Sequence, residues 1–160
     1  MHPLISVTSP ERQFYIFERM NEQAIHLTRR GEYKDAEILT RRLLRLSERL
    51  LGRTHRVTLT SMNNLATLLS RQGMYEEGEA LHRSELQLSL EILGEGHFET
   101  WTSFTNLAII LMDQAKYQEA KVLVTRVLRL KSTALGEDDP STILSSQLLE
   151  RIIASEAQSK

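Results

Sequence analysis

Two histidines, His55 and His97, stand 42 positions apart in similar settings, and a spaced histidine pair is the obvious start of a metal site. Zinc ligands must lie about 2 Å from the ion. Equivalent atoms of stacked helix pairs lie on the order of 10 Å or more apart, so one ion cannot take both. Each histidine instead reads as the local cap of the helix that follows it, and Asp139 at the third equivalent position agrees. Glu76, Glu77 and Glu79 come just after Gly73, where carboxylates favour the positive end of a helix dipole. Glu85 stands where Leu43 and Val127 stand one period away, so it is expected to be partly buried. A single carboxylate without an acid/base partner does not make an active site. Arg41, Arg42, Arg45, Arg49, Arg53 and Arg56 could meet phosphates. The leucines between them keep helical spacing and no aromatic residues interleave, so the run reads as the solvated face of an amphipathic helix. No phosphate loop, nucleophile elbow or metal-binding helix motif occurs. The expectation is no enzyme, no metal, no cofactor and no nucleic acid.

The elements behind these residues repeat. Asn63 to Tyr75 recurs 42 positions later as Thr105 to Tyr117, and in weaker form 42 positions earlier as Asn21 to Tyr33. Leu51-Gly52, Leu93-Gly94 and Leu135-Gly136 hold the same phase, as do Thr58, Thr100 and Thr142, and Leu65, Leu107 and Leu149. Small residues recur too: Ala24, Ala66 and Ala108, then Ala36, Gly78 and Ala120. Self-similarity at such a period marks a solenoid. Within one period Leu59, Met62, Leu65, Ala66 and Leu69 form one helical face, and Gly73 suits a left-handed residue past its end. Leu81, Leu88 and Ile92 share a stripe on the next helix, which Gly94 closes. Each period is thus a helical hairpin with Tyr75 at its turn.

Leu51-Gly52-Arg53-Thr54-His55, Asn64-Leu65-Ala66, Gly73-Met74-Tyr75-Glu76-Glu77-Gly78-Glu79 and Leu86 to Gly94 resemble the tetratricopeptide repeat, in the longer variant found in kinesin light chains. The resemblance covers residues 11 to 158. Ala115 replaces a turn glycine, Asp138-Asp139-Pro140 replaces the histidine loop, and Glu150 stands in place of Ala66 and Ala108. What the resemblance implies is an all-α, right-handed solenoid of antiparallel helical hairpins. The expected layout is an irregular lead over 1–8 and a single domain over 9–160. That domain holds repeats over about 9–52, 53–94 and 95–136 and a capping helix over 139–157. Ser9-Pro10 and Asp139-Pro140 are cap-plus-proline helix starts. Inward positions are expected at Phe14, Phe17, Met20, Ala24 and Leu27 in the first helix, and at Leu39, Leu43, Leu46 and Leu50 in the second. The seventh is expected to turn in Ile143, Leu148, Leu149, Ile152 and Ile153.

In this family the first helix of each hairpin lines the concave side, which implies groove positions here. Repeat one offers Glu18, Asn21, Ile25, Thr28 and Arg29; repeat two Thr60, Asn63, Thr67, Ser70 and Arg71; repeat three Thr102, Thr105, Ile109, Met112 and Asp113. Asn64 and Asn106 adjoin them. Asparagine amides suit an extended peptide backbone, and arginine grips a carboxylate through two hydrogen bonds. The implied function is a protein–protein interaction module that takes a partner's peptide or helix, with acidic groups, in this groove. The competing role for Asn64 and Asn106 is to tie neighbouring helices together. Alternatives are a self-associating structural scaffold, or the repeat portion of a larger signalling protein.

Composition narrows the setting. Net charge is −1, but residues 1–56 hold 11 Lys/Arg against 7 Asp/Glu while the remainder holds 9 against 14. That polarity can orient a partner or a second copy, so a monomer or weak homo-oligomer is expected. Cysteine is absent, which fits a reducing compartment. Leu4-Ile5-Ser6-Val7 is too short for a signal-peptide core, and no run approaches a membrane span. A cytoplasmic protein without membrane contact is the expectation.

Overall fold

The computed structural model describes residues 10–159, which form seven α-helices and, among the described residues, no strand. The helices are α1 Pro10–Arg29, α2 Tyr33–Leu51, α3 Arg56–Arg71, α4 Tyr75–Ile92, α5 Phe98–Asp113, α6 Tyr117–Leu135 and α7 Pro140–Gln158. The lead over 1–8 and the Ser9 cap lie outside the described residues, while Pro10 is indeed the first helical residue of α1. The chain divides into two compact units, one ending at Gly73 and the other beginning at Met74.

Local chemistry sets the helix ends. His55 and His97 hold extended backbone, and the Nδ1 of each accepts from the N–H two residues on, Val57 and Glu99, at 3.2 Å. Asp139 does the same for Ser141 at 2.8 Å. All three are N-caps. The α3 end is closed by Gly73 at φ +79°, a left-handed position that glycine takes without a Cβ clash. One period later Ala115 takes φ +58° in its place. There the Ala115 N–H donates to Met112 O at 2.9 Å and the Lys116 N–H to Leu111 O at 2.8 Å, a complete Schellman pair built on a residue that dislikes the conformation.

In the first unit α1 packs on α2 and α3, and α2 on α3. Phe17, Ala24, Leu43, Leu59, Met62 and Leu65 are buried there. The second unit runs α4 on α5, α5 on α6 and α6 on α7. Its core is Phe104, Leu107, Ile110, Leu111, Val124, Val127 and Ile152, with Tyr75 and Tyr117 packed against the edge. Short connections between contacting neighbours make these pairs antiparallel hairpins. The second helices α2 and α6 have 19 residues against 16 for α3 and α5, so the long repeat puts its extra length there.

Several inward expectations are corrected. Phe14 is 54% exposed, and Leu50 and Ile92 also face out. The face that α4 buries is not the leucine stripe but Gly78, Glu79, His82, Glu85, Leu86 and Ser89, at steps of three and four. Polar residues can occupy that face because neighbouring helices supply hydrogen bonds. On α7, Ile143 and Ile153 are 43% and 50% exposed, while Ser145 is buried with its hydroxyl in range of Lys131 Nζ and Ser141 O. Leu148 and Ile152 do point inward.

One polar tie recurs at each period. Gln72 on α3 donates to Glu37 on α2 at 2.8 Å, and Gln114 on α5 to Glu79 on α4 at 2.7 Å. The third rung exchanges the roles: Lys121 on α6 donates to Glu156 on α7 at 2.7 Å. Glu79 is the most heavily engaged. Burial pushes its carboxyl up, but hydrogen bonds from Lys116, Arg83 and Gln114 outweigh that and bring it down to about 2.

Candidate peptide-binding surface

In the first unit the expected groove residues lie on α1 and α3. Asn64 Nδ2 donates to Asn21 Oδ1 at 2.9 Å, which joins α3 to α1. Asn64 therefore performs the tying role, and Asn21 presents the rest of its amide at a half-buried site. Beside Asn21 is a cleft of about 310 Å3. Phe14, Phe17, Val57 and Leu43 give it apolar walls, and Glu18, Asn21 and Thr60 give it polar ones. The exposed ring of Phe14 is thus one wall of a groove rather than core. Three of the implied groove positions, Glu18, Asn21 and Thr60, converge in this one cleft.

Arg29 and Arg71 sit in the last turns of α1 and α3. Both are exposed, and among the described residues neither has an ion-pair partner. Asn63 is half-buried, and its backbone carbonyl accepts a hydrogen bond. Thr67 turns its hydroxyl back to Asn63 O at 3.0 Å, and Ser70 to Ala66 O at 2.8 Å. These short side chains satisfy their donors on the helix itself and keep the face smooth.

In the second unit Thr105, Asn106 and Ile109 lie on α5, all half-buried. Thr105 donates to Trp101 O at 2.8 Å, and Ile109 and Met112 pack against the core. The position equivalent to Arg29 and Arg71 is the acidic, exposed Asp113, so the arginine rungs stop at the first unit.

Among the described residues four titratable side chains outside the expected groove are buried in the second unit: Glu79, His82, Glu85 and Lys131. His82 is enclosed, and burial pushes its imidazole down to about 4. Burial pushes the Glu85 carboxyl up, against hydrogen bonds that Ser89 and Ser103 donate to Oε1 at 2.7 and 2.9 Å. Their signal in the sequence is the register itself: Thr40 and Val124 mark the His82 position as inward, as Leu43 and Val127 mark Glu85. Among the described residues no three His, Cys, Asp or Glu side chains gather at a metal-sized site.

Comparison with known proteins agrees with this architecture. The tetratricopeptide repeat model matches residues 17–91 and 63–133. No curated protein matches the chain. Nearly identical TPR-like repeats of a Podosopora anserina protein assigned as a kinesin light chain superpose with a TM-score of 0.82. The identity is 22%, over 89% of this chain and 67% of that one. A point-mutant form of the same repeats gives 0.81. BtubC of P. vanneervenii gives 0.81 at 18% identity, over 91% of this chain and 58% of its own. The chain thus spans about two thirds or less of these relatives' length, and the likeness is one of fold. No described helix is long and apolar enough to cross a membrane. Repeats of this type are generally protein–protein interaction modules and typically non-enzymatic. With two overlapping matches that cover most of its length, the chain belongs to the tetratricopeptide repeat family.

Proposed function

We propose that the α1/α3 face of the first unit binds an extended, acidic peptide segment of a partner protein, and that the chain binds rather than catalyses. The observation that carries this reading is the cleft of about 310 Å3 with Asn21 on its rim, on the same two helices that end in the exposed Arg29 and Arg71. An apolar peptide side chain fits against Phe14 and Phe17. A peptide backbone suits the asparagine and threonine edge, where donors and acceptors alternate. A carboxylate suits a guanidinium fork. On α5, Thr105 and Asn106 offer polar groups of the same kind, and Ile109 a small apolar contact. A cytoplasmic setting fits a chain without cysteine.

The test is capture of partners from a native lysate, followed by titration of the captured segment as a synthetic peptide. Arg71→Glu weakens binding about tenfold or more while circular dichroism is unchanged, since like charges at the contact are repulsive. An unaltered affinity would remove this face from consideration.

A further inference from the structure

We propose that copies of this chain associate head to tail, the outer stripe of α2 of one copy docking on the open side of α7 of the next. On α5, Trp101, Phe104, Ala108 and Leu111 are buried, at 7%, 1%, 0% and 0% exposure. One period later the same positions on α7 are Ile143, Ser146, Glu150 and Ile153, and all but the half-buried Ser146 are exposed. The arc that α5 hides is therefore uncovered on α7. It opens on a cleft of about 520 Å3 lined by Leu128 and Ser132 of α6, Glu137, and Ile143, Ser146 and Glu150 of α7. Neither Glu137 nor Glu150 has an ion-pair partner among the described residues. A mixed groove, with Leu128 and Ile143 among serine, threonine and glutamine side chains and two idle carboxylates, calls for a helix that carries cations beside a single apolar group.

The chain itself presents such a helix. Ile38, Arg42, Arg45 and Arg49 follow steps of four, three and four on α2, so they lie on one stripe. All four are exposed. None of the three arginines is ion-paired among the described residues, whereas Arg41 and Arg53 on the same stretch pair with Glu37 and Glu48. Fold does not require the stripe. α4 carries Ser84, Gln87 and Glu91 at the same three positions and forms without it, while α6 keeps Arg126 and Arg129 but ends in Thr133 and has Arg126 paired with Glu95. Arg42 to Arg49 spans about 10 Å of helix, long enough to reach both Glu150 and the acidic turn at Glu137-Asp138, with Ile38 against the isoleucines. Arginine meets carboxylates through paired hydrogen bonds. Because the two patches differ, each copy offers one patch of each kind to its neighbours.

Sedimentation velocity of the full chain at about 0.05 M and about 0.5 M salt tests this, since screening separates the two conditions. The expected result is a mass that rises with concentration at low salt and returns to the 18.4 kDa monomer at high salt. Arg45→Glu alone and Glu150→Arg alone each weaken association about tenfold or more. Their equimolar mixture associates again, because each variant keeps one intact patch. Arg49→Glu and Glu137→Lys serve as second variants should either of the first lose helicity. A monomer at both salts overturns the proposal. So does an Arg45→Glu chain that still associates, which would mean that α7 pairs with something other than α2.

Discussion

Lys121 on α6 holds Glu156 on α7 at 2.7 Å, at the two positions that Glu37 and Gln72 occupy in the first repeat and Glu79 and Gln114 in the second. A charge has moved from one helix to the other and its partner has changed with it. The geometry of the rung survives the exchange, which marks this pair as a fixed fastening between a second helix and the helix that follows it.

That fastening predicts a specific rescue. Lys121→Glu faces Glu156 with a like charge in a half-buried site and destabilises the chain by about 1–3 kcal/mol. Adding Glu156→Gln recreates the Glu–Gln rung of the earlier repeats and recovers most of that loss. Chemical denaturation of the two singles and the double gives the coupling directly. Additive losses would show that the pair is incidental.

Glu85 predicts a gain. Its side chain is 4% exposed, with Oε2 unpartnered, where the other repeats place Leu43 and Val127. Glu85→Leu is expected to stabilise by about 1–2 kcal/mol, because it removes a poorly satisfied buried acid. The serines it releases have alternatives. At the equivalent positions Ser47 donates to Leu44 O at 2.9 Å and Ser61 to Val57 O at 2.8 Å beside Leu43. A lower denaturation midpoint would mean that the serine–carboxylate network is worth more than its burial costs.

The buried histidine predicts acid sensitivity. His82 is held down to about 4 from an ordinary 6.5, so the unfolded chain binds the proton first as pH falls. Stability therefore declines from pH 6.5 towards 4. Glu79, held down to about 2 from 4.5, extends the decline below pH 4.5. Glu85 acts in the opposite sense: its raised carboxyl contributes stability that is lost as pH rises above 4.5. His82→Val copies Val124 at the equivalent position. It should flatten the thermal midpoint between pH 6.5 and 5 while leaving the lower decline in place. An unchanged slope in that window would exclude His82 as its cause.

Ala115 predicts a small stabilisation through the backbone. Its φ of +58° is disfavoured for a residue with a Cβ, and Gly73 fills the same place one period earlier. Ala115→Gly should raise stability by about 0.5–1 kcal/mol, and Gly73→Ala should lower it by at least as much. Thermal melts of both variants check the pair of signs.

The seven helices and their ends are legible in the sequence because period, caps and turn glycines agree. His55, His97 and Asp139 have the spacing of caps and act as caps. The α4 interior is not legible in the same way. Hydrophobicity alone selects Leu81, Leu88 and Ile92, while the buried face is held by hydrogen bonds that only the neighbouring helix reveals. Phe14 and Ile143 look inward in the sequence for a related reason. Apolar side chains at helical spacing suggest an inward face, yet Phe98 at the repeat position of Phe14 is exposed as well, and Ile143 is exposed where Trp101 is buried. In the candidate groove, Asn21 and Asn64 stand out by their place in the repeat, but their direct bond is visible only in three dimensions.

The most direct measurement for peptide binding is an amide chemical-shift titration of the isotopically labelled chain with an acidic partner peptide obtained by lysate capture. Binding on the α1/α3 face predicts shifts concentrated at Asn21, Arg29, Asn63, Thr67 and Arg71, and their loss in the Arg71→Glu chain. Shifts confined to the α2 stripe or to α7, with α1 and α3 undisturbed, would contradict it.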